Sequence, residues 1–235
     1  MDGDVFGLTP TELPQTMAPE LWRQVPPEHL SDPTMDVLGG VHRDALQTLA
    51  GILHTHRDVM ADPTQTPAAN LQRSHQHARK LAGQLLDKME RAEMRTLETI
   101  KSIDEATSRV PDPPSDAVAR MVYDSFARMT PAQRSETIAW AIDTDDRATL
   151  GAVLVQGPAY LWGVSEAERE MHRDRYKRLR YPQALARREA LERGLEITSA
   201  ATRTLSERVA SMYDQAALRE AETLAMQARK RLEAV

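Results

Sequence analysis

The last quarter of the chain has an apolar pattern that repeats every 3.5 residues. Residues 183–235 contain no proline and a single glycine, Gly194. Small and apolar positions alternate in steps of four and three, which is the a/d pattern of a coiled coil. The pattern predicts one long helix over 183–235 that packs against another helix, with a change of phase after Ala216. The predicted seam residues are Leu191, Leu195, Thr198, Thr202, Leu205, Val209, Met212 and Ala216.

Two more amphipathic helices are predicted in residues 37–110. The first runs from about Asp36 to Met60, and Ala61-Asp62-Pro63 ends it. The second runs from about Ala68 to Arg109, again in a 3.5-residue register, and the prolines of 111–114 stop it. The two helices form a predicted αα-hairpin. The second register comprises Ala78, Ala82, Leu85, Met89, Ala92, Thr96, Thr99, Ile103 and Ala106, and Leu86, Leu97 and Ile100 broaden it.

Residues 115–181 predict a compact core of short helices. Thr130 followed by Pro131 starts one helix, Asp143 or Thr144 caps the next, and Ser165 with Glu168 forms a capping box. Pro182 interrupts the chain before the C-terminal helix. This segment holds seven of the ten aromatic residues, namely Tyr123, Phe126, Trp140, Tyr160, Trp162, Tyr176 and Tyr181.

Residues 1–36 form an extended arm, because six of the fourteen prolines lie there. Residues 1–40 also carry seven acidic residues and one basic residue. The arm is either a disordered tail or a strap that docks on a neighbouring subunit. The anchors of such a strap would be Phe6, Leu13, Leu21 and Trp22.

Composition supports an all-α fold. Apolar residues make up 41% of the chain, charged residues 28% and aromatic residues only 4%, which suits Ala/Leu/Met-packed helices. We therefore predict a long helical hairpin and a long C-terminal coiled-coil-like helix around a compact short-helix core, with an extended N-terminal arm.

The start of the chain, MDGDVFGLTP, lacks the pattern of a secretory signal. No apolar run approaches the roughly 18 residues of a membrane span. We therefore expect a cytoplasmic protein that does not bind membranes. The chain has no cysteine, which excludes disulfides, thiolate chemistry and Cys-containing zinc sites.

Four histidines flank the predicted hairpin turn at similar distances: His54 and His56 before it, His75 and His77 after it. Antiparallel pairing could bring one histidine from each helix together. Residues at i and i+2 point to nearly opposite sides of a helix, so neither pair can chelate with both rings. Surface or core histidines are thus favoured over a metal-dependent bundle enzyme, and we expect no metal or cofactor.

The densest basic stretch is 169–188, with eight Lys/Arg against two acidic residues. Its cations could follow a nucleic-acid backbone or bind an acidic partner. A solvated face, or a dock for the acidic arm, explains the same charge. The candidate contact residues are Arg169, Arg173, Lys177, Arg180, Arg187 and Arg188.

No nucleophile elbow, phosphate-binding glycine loop, zinc-protease motif or dinucleotide fingerprint occurs in the sequence. We therefore predict a protein that is not an enzyme.

Residues 157–165, Gly-Pro-Ala-Tyr-Leu-Trp-Gly-Val-Ser, precede a charged helix that ends near Pro182. This stretch resembles uncharacterised helical proteins encoded by tailed bacteriophages and prophages. Trp162 stands where those proteins have a small residue. The resemblance covers about 30 residues and implies a role in virion structure or assembly, with no catalytic residue to carry over.

Taken together, these features predict a structural or assembly protein that acts through helix–helix and arm contacts. It would bind copies of itself or other structural subunits and be incorporated in a virion. The alternative is a nucleic-acid-binding accessory protein that uses the basic helix.

Overall fold

The protein is all-α, as the sequence predicts. A computed structural model describes residues 6–8, 12–108 and 111–233, and no strand occurs among them. None of the described helices combines the length and the apolar character that crossing a membrane requires. The α-helices are α1 (Pro33–Met60), α2 (Pro67–Thr107), α3 (Asp116–Ala127), α4 (Pro131–Thr144), α5 (Arg147–Leu150), α6 (Glu166–Arg180), α7 (Pro182–Met212) and α8 (Gln215–Glu233).

The chain divides into two compact units. Unit 1 comprises Met1–Thr99 and Ala190–Val235, and unit 2 comprises Ile100–Glu189. Both boundaries fall inside long helices, α2 and α7. This division differs from the four consecutive segments predicted from the sequence, because each unit takes part of both long helices.

In unit 1, α1 and α2 form the predicted antiparallel hairpin. His56 Nδ1 lies 2.9 Å from Ser74 Oγ near the turn, and Lys88 Nζ lies 2.7 Å from Asp44 Oδ2 farther away. The 3.5-residue register of α2 is buried from Ala78 to Thr96. Leu86 and Leu97 are nevertheless exposed, so the prediction that they broaden the buried face is wrong.

The first part of the C-terminal seam packs against α1 of the same chain. The Thr198 hydroxyl donates to the carbonyl oxygen of Leu38 at 3.3 Å. A Cβ added at Gly194 would lie 2.6 Å from Met35 Sδ, so glycine permits a close approach of the two helices. Because the helices pair 35 with 194 and 38 with 198, they run parallel. Of the seam residues, Leu191, Thr198, Thr202, Leu205 and Val209 are buried, whereas Leu195 and Met212 are partly exposed and Ala216 is exposed.

The C-terminal helix is broken, so the prediction of a single helix over 183–235 is wrong. α7 ends at Met212 and α8 begins at Gln215. The Asp214 carboxylate accepts from the backbone N–H groups of Ala216 at 2.8 Å and Ala217 at 3.3 Å, which is a helix N-cap. The break coincides with the change of phase that the apolar pattern shows after Ala216.

Unit 2 is a core of short helices around Phe126, Ile142, Leu154 and Trp162. The capping boxes at Thr130 and Ser165 are both present, as predicted. The predicted start of the next helix at Asp143 or Thr144 is wrong. α4 continues through Thr144, Asp145 adopts a left-handed conformation, and the side chain of Asp146 caps α5.

The centre of unit 2 is a buried helical segment in which α5 continues as a π-helical turn, Gly151–Val155. Residues 150–154 have no exposed side chain. Gly151 is required there, because an added Cβ would lie 2.3 Å from the carbonyl oxygen of Asp112 and 3.2 Å from Pro114 Cδ.

Candidate functional site

The N-terminal arm lies in unit 1 along α7 and runs antiparallel to it. Thr16 Oγ1 is 2.7 Å from Thr204 Oγ1, and eight residues later Gln24 accepts from Arg193. Short 3-10 turns, Gln15–Met17, Pro19–Gln24 and Pro27–His29, form this stretch. Eight residues at the 3-10 rise of about 2.0 Å span the same length, roughly 16 Å, as eleven α-helical residues. Residues 16–24 of the arm therefore cover the same distance as residues 193–204 of α7.

The structure changes the assignment of the arm anchors. Met17 and Val25 are buried, whereas the predicted anchors Leu13, Leu21 and Trp22 are only half-buried. Phe6 keeps 45% of its surface exposed. The arm also contacts its own chain, since Glu12 accepts from Arg57 in addition to the two contacts with α7. Docking on a neighbouring subunit stays a prediction.

Trp22 and His42 form a second contact between the arm and α1, beside that of Glu12 with Arg57. Their ring centroids are 5.9 Å apart in an edge-on arrangement. Both rings line a cavity of about 380 Å³ whose other walls include Phe6, Leu30 and Leu46. Trp22 Nε1 and His42 Nε2 are buried, and neither has a hydrogen-bond partner in the described part of the chain. Burial lowers the pKa of His42.

A chain of hydrogen bonds crosses unit 1 near the hairpin turn. Ser74 Oγ lies 2.9 Å from His56 Nδ1 and 2.9 Å from the Tyr213 hydroxyl. The rings of His56 and His75 both pack edge-on against Tyr213, at 5.4 and 5.0 Å between centroids. Burial raises the pKa of Tyr213, and the hydrogen bond from Ser74 partly opposes that shift. One histidine from each helix thus reaches a common tyrosine.

This arrangement links helices rather than forming a catalytic dyad. Ser74 is buried, and its hydroxyl is shared between two partners, so a substrate carbonyl has no access to it. Of the other hairpin histidines, His54 pairs with the exposed Asp58 at 3.2 Å. Within the described ranges no group of three or more His, Asp or Glu side chains could hold a metal ion.

The basic helix α6 turns one face into unit 2. Arg169 is only 4% exposed, and it donates to the carbonyl oxygens of Leu154 at 3.1 Å and Gly157 at 2.8 Å. Arg173 donates to Leu154 as well, at 3.0 Å through Nε. Leu154 lies in the last part of the π-helical turn and Gly157 follows the turn, so both arginines lie at its C-terminal end, where positive charge is favoured by the helix dipole. Burial, with Arg173 nearby, lowers the pKa of Arg169, although Glu166 opposes the shift.

The other candidate cations are also engaged within unit 2. Arg180 donates to the carbonyl oxygen of Ile142 at 3.3 Å and pairs with Asp145 at 3.3 Å. Lys177 lies 3.9 Å from Asp174, and Arg188 lies 2.7 Å from Asp104. Arg187 is half-buried and has a polar or charged interaction of its own. The six residues therefore do not form one exposed row of free cations.

His172 shares the inward face of α6 with Arg169 and Tyr176. Its Nδ1 is buried without a hydrogen-bond partner in the described chain. Burial, followed by the charge of Arg175, lowers the pKa of His172, whereas Glu168 raises it. Burial is also the main reason why the pKa of Tyr176 is raised, with Asp145 adding to the effect.

Large apolar side chains are exposed on both units. In unit 2, Tyr160 is 75% exposed, Met121 72% and Trp140 59%. In unit 1, Leu86, Met94 and Leu97 are exposed on α2. At 100° per residue these three project within about 80° of one another, so they share one side of the helix beside the buried face, with Glu90 among them. We call this set the α2 flank.

Sequence reasoning missed Met17 and Val25 as arm anchors. Both are apolar residues in a proline-rich stretch. The apolar residues of that stretch do not repeat at the spacing of an α-helix or of a strand, because the stretch consists of 3-10 turns separated by prolines. It also missed Ser74 and Tyr213. The phase change near 216 was the one signal that pointed to the break beside Tyr213.

Comparisons of the chain with protein-family models, with curated proteins and with solved structures found no match. The resemblance of residues 157–165 to phage-encoded proteins therefore stays a hypothesis.

Proposed function

We propose that the chain is a non-enzymatic structural or assembly protein that binds copies of itself or other structural subunits. The observation that carries the proposal is the exposure of large apolar side chains on surfaces that the chain's own helices leave uncovered. Exposed apolar patches of this kind commonly mark protein–protein contacts. The resemblance of residues 157–165 adds the inference that the assembly is a tailed-phage particle.

The α2 flank is the part of this surface best suited to a helix–helix contact. Leu86 and Leu97 are eleven residues apart, about 16 Å along the helix, which is the length of three turns. The seam residues of α2 and α7 in unit 1 are largely buried against other parts of the same unit. A partner helix would therefore bind beside the seam of α2 and not in it.

The test is the solution mass by light scattering over a range of concentrations. We expect the natural chain to form a defined oligomer and the double variant Leu86→Glu, Leu97→Glu to form a smaller species. Ala106→Glu is the control for an added glutamate at an exposed position on the same helix, with one new charge against the two of the double variant. An unchanged mass in the double variant would show that the flank is not the contact, and a monomeric natural chain would contradict self-association.

The particle assignment has a separate test. We expect mass spectrometry of purified phage particles to detect the chain at a fixed ratio to the capsid protein. Particles that lack the chain would remove the virion role and leave assembly as the remaining function.

Nucleic-acid binding has less support. Arg169, Arg173 and Arg180 direct their guanidinium groups at backbone carbonyls of unit 2, so they are already committed to stabilising the fold. Phosphate binding by the same groups would have to break those hydrogen bonds.

A further inference from the structure

Two buried nitrogen atoms at the contact between Trp22 and His42 have no hydrogen-bond partner in the described chain. His42 is 3% exposed, yet its Nε2 has no hydrogen-bond partner in the described chain, and the Trp22 indole N–H has none either. Buried polar groups in folded proteins are nearly always paired, because an unpaired group loses its water without compensation. The adjoining cavity of about 380 Å³ also leaves part of both rings without packing partners.

Among the residues that the structure describes, no acidic side chain is paired with His42. On α1, Asp36 and Arg43 line the same cavity, and neither is paired with His42. On the arm, Glu20 and Arg23 flank Trp22 and are exposed. On α7, Arg193 and Glu196 pair with each other at 2.7 Å. A proton on His42 would therefore place an unpaired charge beneath the arm, which is strongly unfavourable in a buried site.

The arm has few polar bonds to the helices of unit 1, and the buried side chains of Met17 and Val25 hold it in its groove. Its three 3-10 turns have no side-chain caps, and prolines at 14, 19, 26 and 27 remove backbone donors. Its side-chain bonds to the rest of unit 1 include those of Glu12, Thr16 and Gln24. Segments with few bonds of this kind open locally at a lower free energy than the helical core.

We propose that the arm is a pH-controlled latch. Protonation of His42 expels Trp22 and releases the arm from α1 and α7, while the helices of unit 1 stay folded. The inference does not rest on the proposed function, because it concerns only the docking of the arm on its own chain.

The direction of the pH effect follows from proton linkage. Burial lowers the pKa of His42 below its ordinary value of 6.5 while the arm is docked. The released state therefore binds the proton more tightly, and docking is strongest above pH 6.5 and weakens as the pH falls below that value. A single proton can change the ratio of released to docked arm by at most about tenfold per pH unit.

Fluorine NMR of protein labelled with 5-fluorotryptophan can follow the latch directly. The chain has three tryptophans, and Trp22→Phe identifies the resonance of Trp22. Between pH 7.5 and 5 we expect that resonance to move to the position of a solvated indole while far-UV circular dichroism keeps its helical signal. His42→Gln, which is neutral and of similar length, should lose the transition. His172→Gln is the matched control, because His172 is the other buried histidine with a lowered pKa, and it should keep the transition.

Three outcomes of this titration would overturn the latch. The first is a Trp22 resonance that stays in place down to pH 5 with the helices intact. The second is a Trp22 resonance that moves equally in His42→Gln. The third is loss of the helical signal together with the Trp22 shift, which would mean global acid unfolding.

A crosslink gives a second test that does not depend on replacing His42. The chain has no cysteine, and the Oγ1 atoms of Thr16 and Thr204 are 2.7 Å apart, so Thr16→Cys with Thr204→Cys places two thiols in range of a disulfide. We expect the oxidised form to suppress the transition and reduction to restore it. A transition of the same amplitude in both forms would show that the arm is not what moves.

Discussion

Unit 1 and unit 2 are both helical, but they exclude water from their interiors by different means. Unit 1 buries the apolar seams of α2 and α7 against helices of the same chain, and most of its core is Leu, Met, Ile and Ala. Unit 2 places a buried arginine, Arg169, against carbonyls that end its central helical segment. A long helix satisfies its own backbone along most of its length, whereas a unit of short helices has many unpaired ends.

This difference explains why a strongly charged helix can pack into a core. Seven of the first ten residues of α6, Glu166–Arg175, are charged. The inward face of α6 still fits unit 2, because the carbonyl groups at the end of the central helical segment need donors. Arginine is suited to this role, since its planar fork can donate to more than one carbonyl at once. Charge density along a helix is therefore a poor guide to exposure where short helices end nearby.

The largest effect that we expect tests the apolar seam of unit 1. Leu205→Ala should lower the free energy of unfolding by about 3 to 4 kcal/mol, because Leu205 is fully buried in α7. Leu195→Ala on the same helix should cost less than half as much, because Leu195 is partly exposed. Urea unfolding followed by circular dichroism measures both. Equal losses would mean that the seam is buried evenly, as in a regular coiled coil.

A pair of glycines tests the packing tolerance of the two units. Gly151→Ala should destabilise by about 3 kcal/mol, because the new Cβ would overlap the Asp112 carbonyl, which is backbone. Gly194→Ala should cost about 1 kcal/mol or less, because its nearest neighbour is the flexible Met35 side chain. Gly83→Ala is the control, since nothing lies within 4 Å, and should stabilise by about 0.5 to 1 kcal/mol. Similar losses at 151 and 194 would contradict the difference between the units.

Arg169→Met tests the arginine cap of unit 2. We expect a loss of about 2 to 3 kcal/mol in unfolding free energy, because the Gly157 carbonyl loses its charged donor. Arg169→Lys should lose most of the same stability, since an ammonium group lacks the fork that reaches both carbonyls. Arg178→Met, on the exposed side of α6, should be near neutral. A neutral Arg169→Met would show that the charge is not needed in the core.

The smallest effect is the pH response of unit 2. His172 has a pKa lowered by burial, so the folded state disfavours its proton and stability should fall as the pH drops below about 6.5. The slope is at most about 1.4 kcal/mol per pH unit for one proton. In a variant that keeps Trp162 as its single tryptophan, with Trp22→Phe and Trp140→Phe, fluorescence reports on unit 2, and His172→Gln should flatten its pH response. An unchanged slope in that variant would assign the response to another group.

Helix existence and most turn positions were predictable from the sequence. The register of α2 from Ala78 to Thr96 and the caps at Thr130 and Ser165 depend on local residue chemistry, and the structure has each of them. The predicted cap of α5, Asp143 or Thr144, lies two or three residues before the observed cap, Asp146. The prediction failed because all three residues are of types that can cap a helix. Only Asp146 has its N–H partners in place.

The candidate sites were less predictable, because they depend on where helix ends meet. Nothing in the sequence of α6 distinguishes Arg169, whose partners are carbonyls 12 and 15 residues earlier, from Arg178, which is exposed. Similarly, the four hairpin histidines look alike, but only His56 and His75 reach Tyr213 from the C-terminal region.

The sequence by itself determined that the chain is helical, where most helices begin and end, and which face of α2 is apolar. These properties follow from periodicity, capping and proline, which act over a few residues. Only the tertiary structure decided that the α7 seam closes on α1 of the same chain, that the arm lies along α7, and that arginines of α6 serve the core. Those outcomes depend on which surfaces, distant in the sequence, pack against one another. A local pattern of apolar residues carries no information about the surface that will cover it.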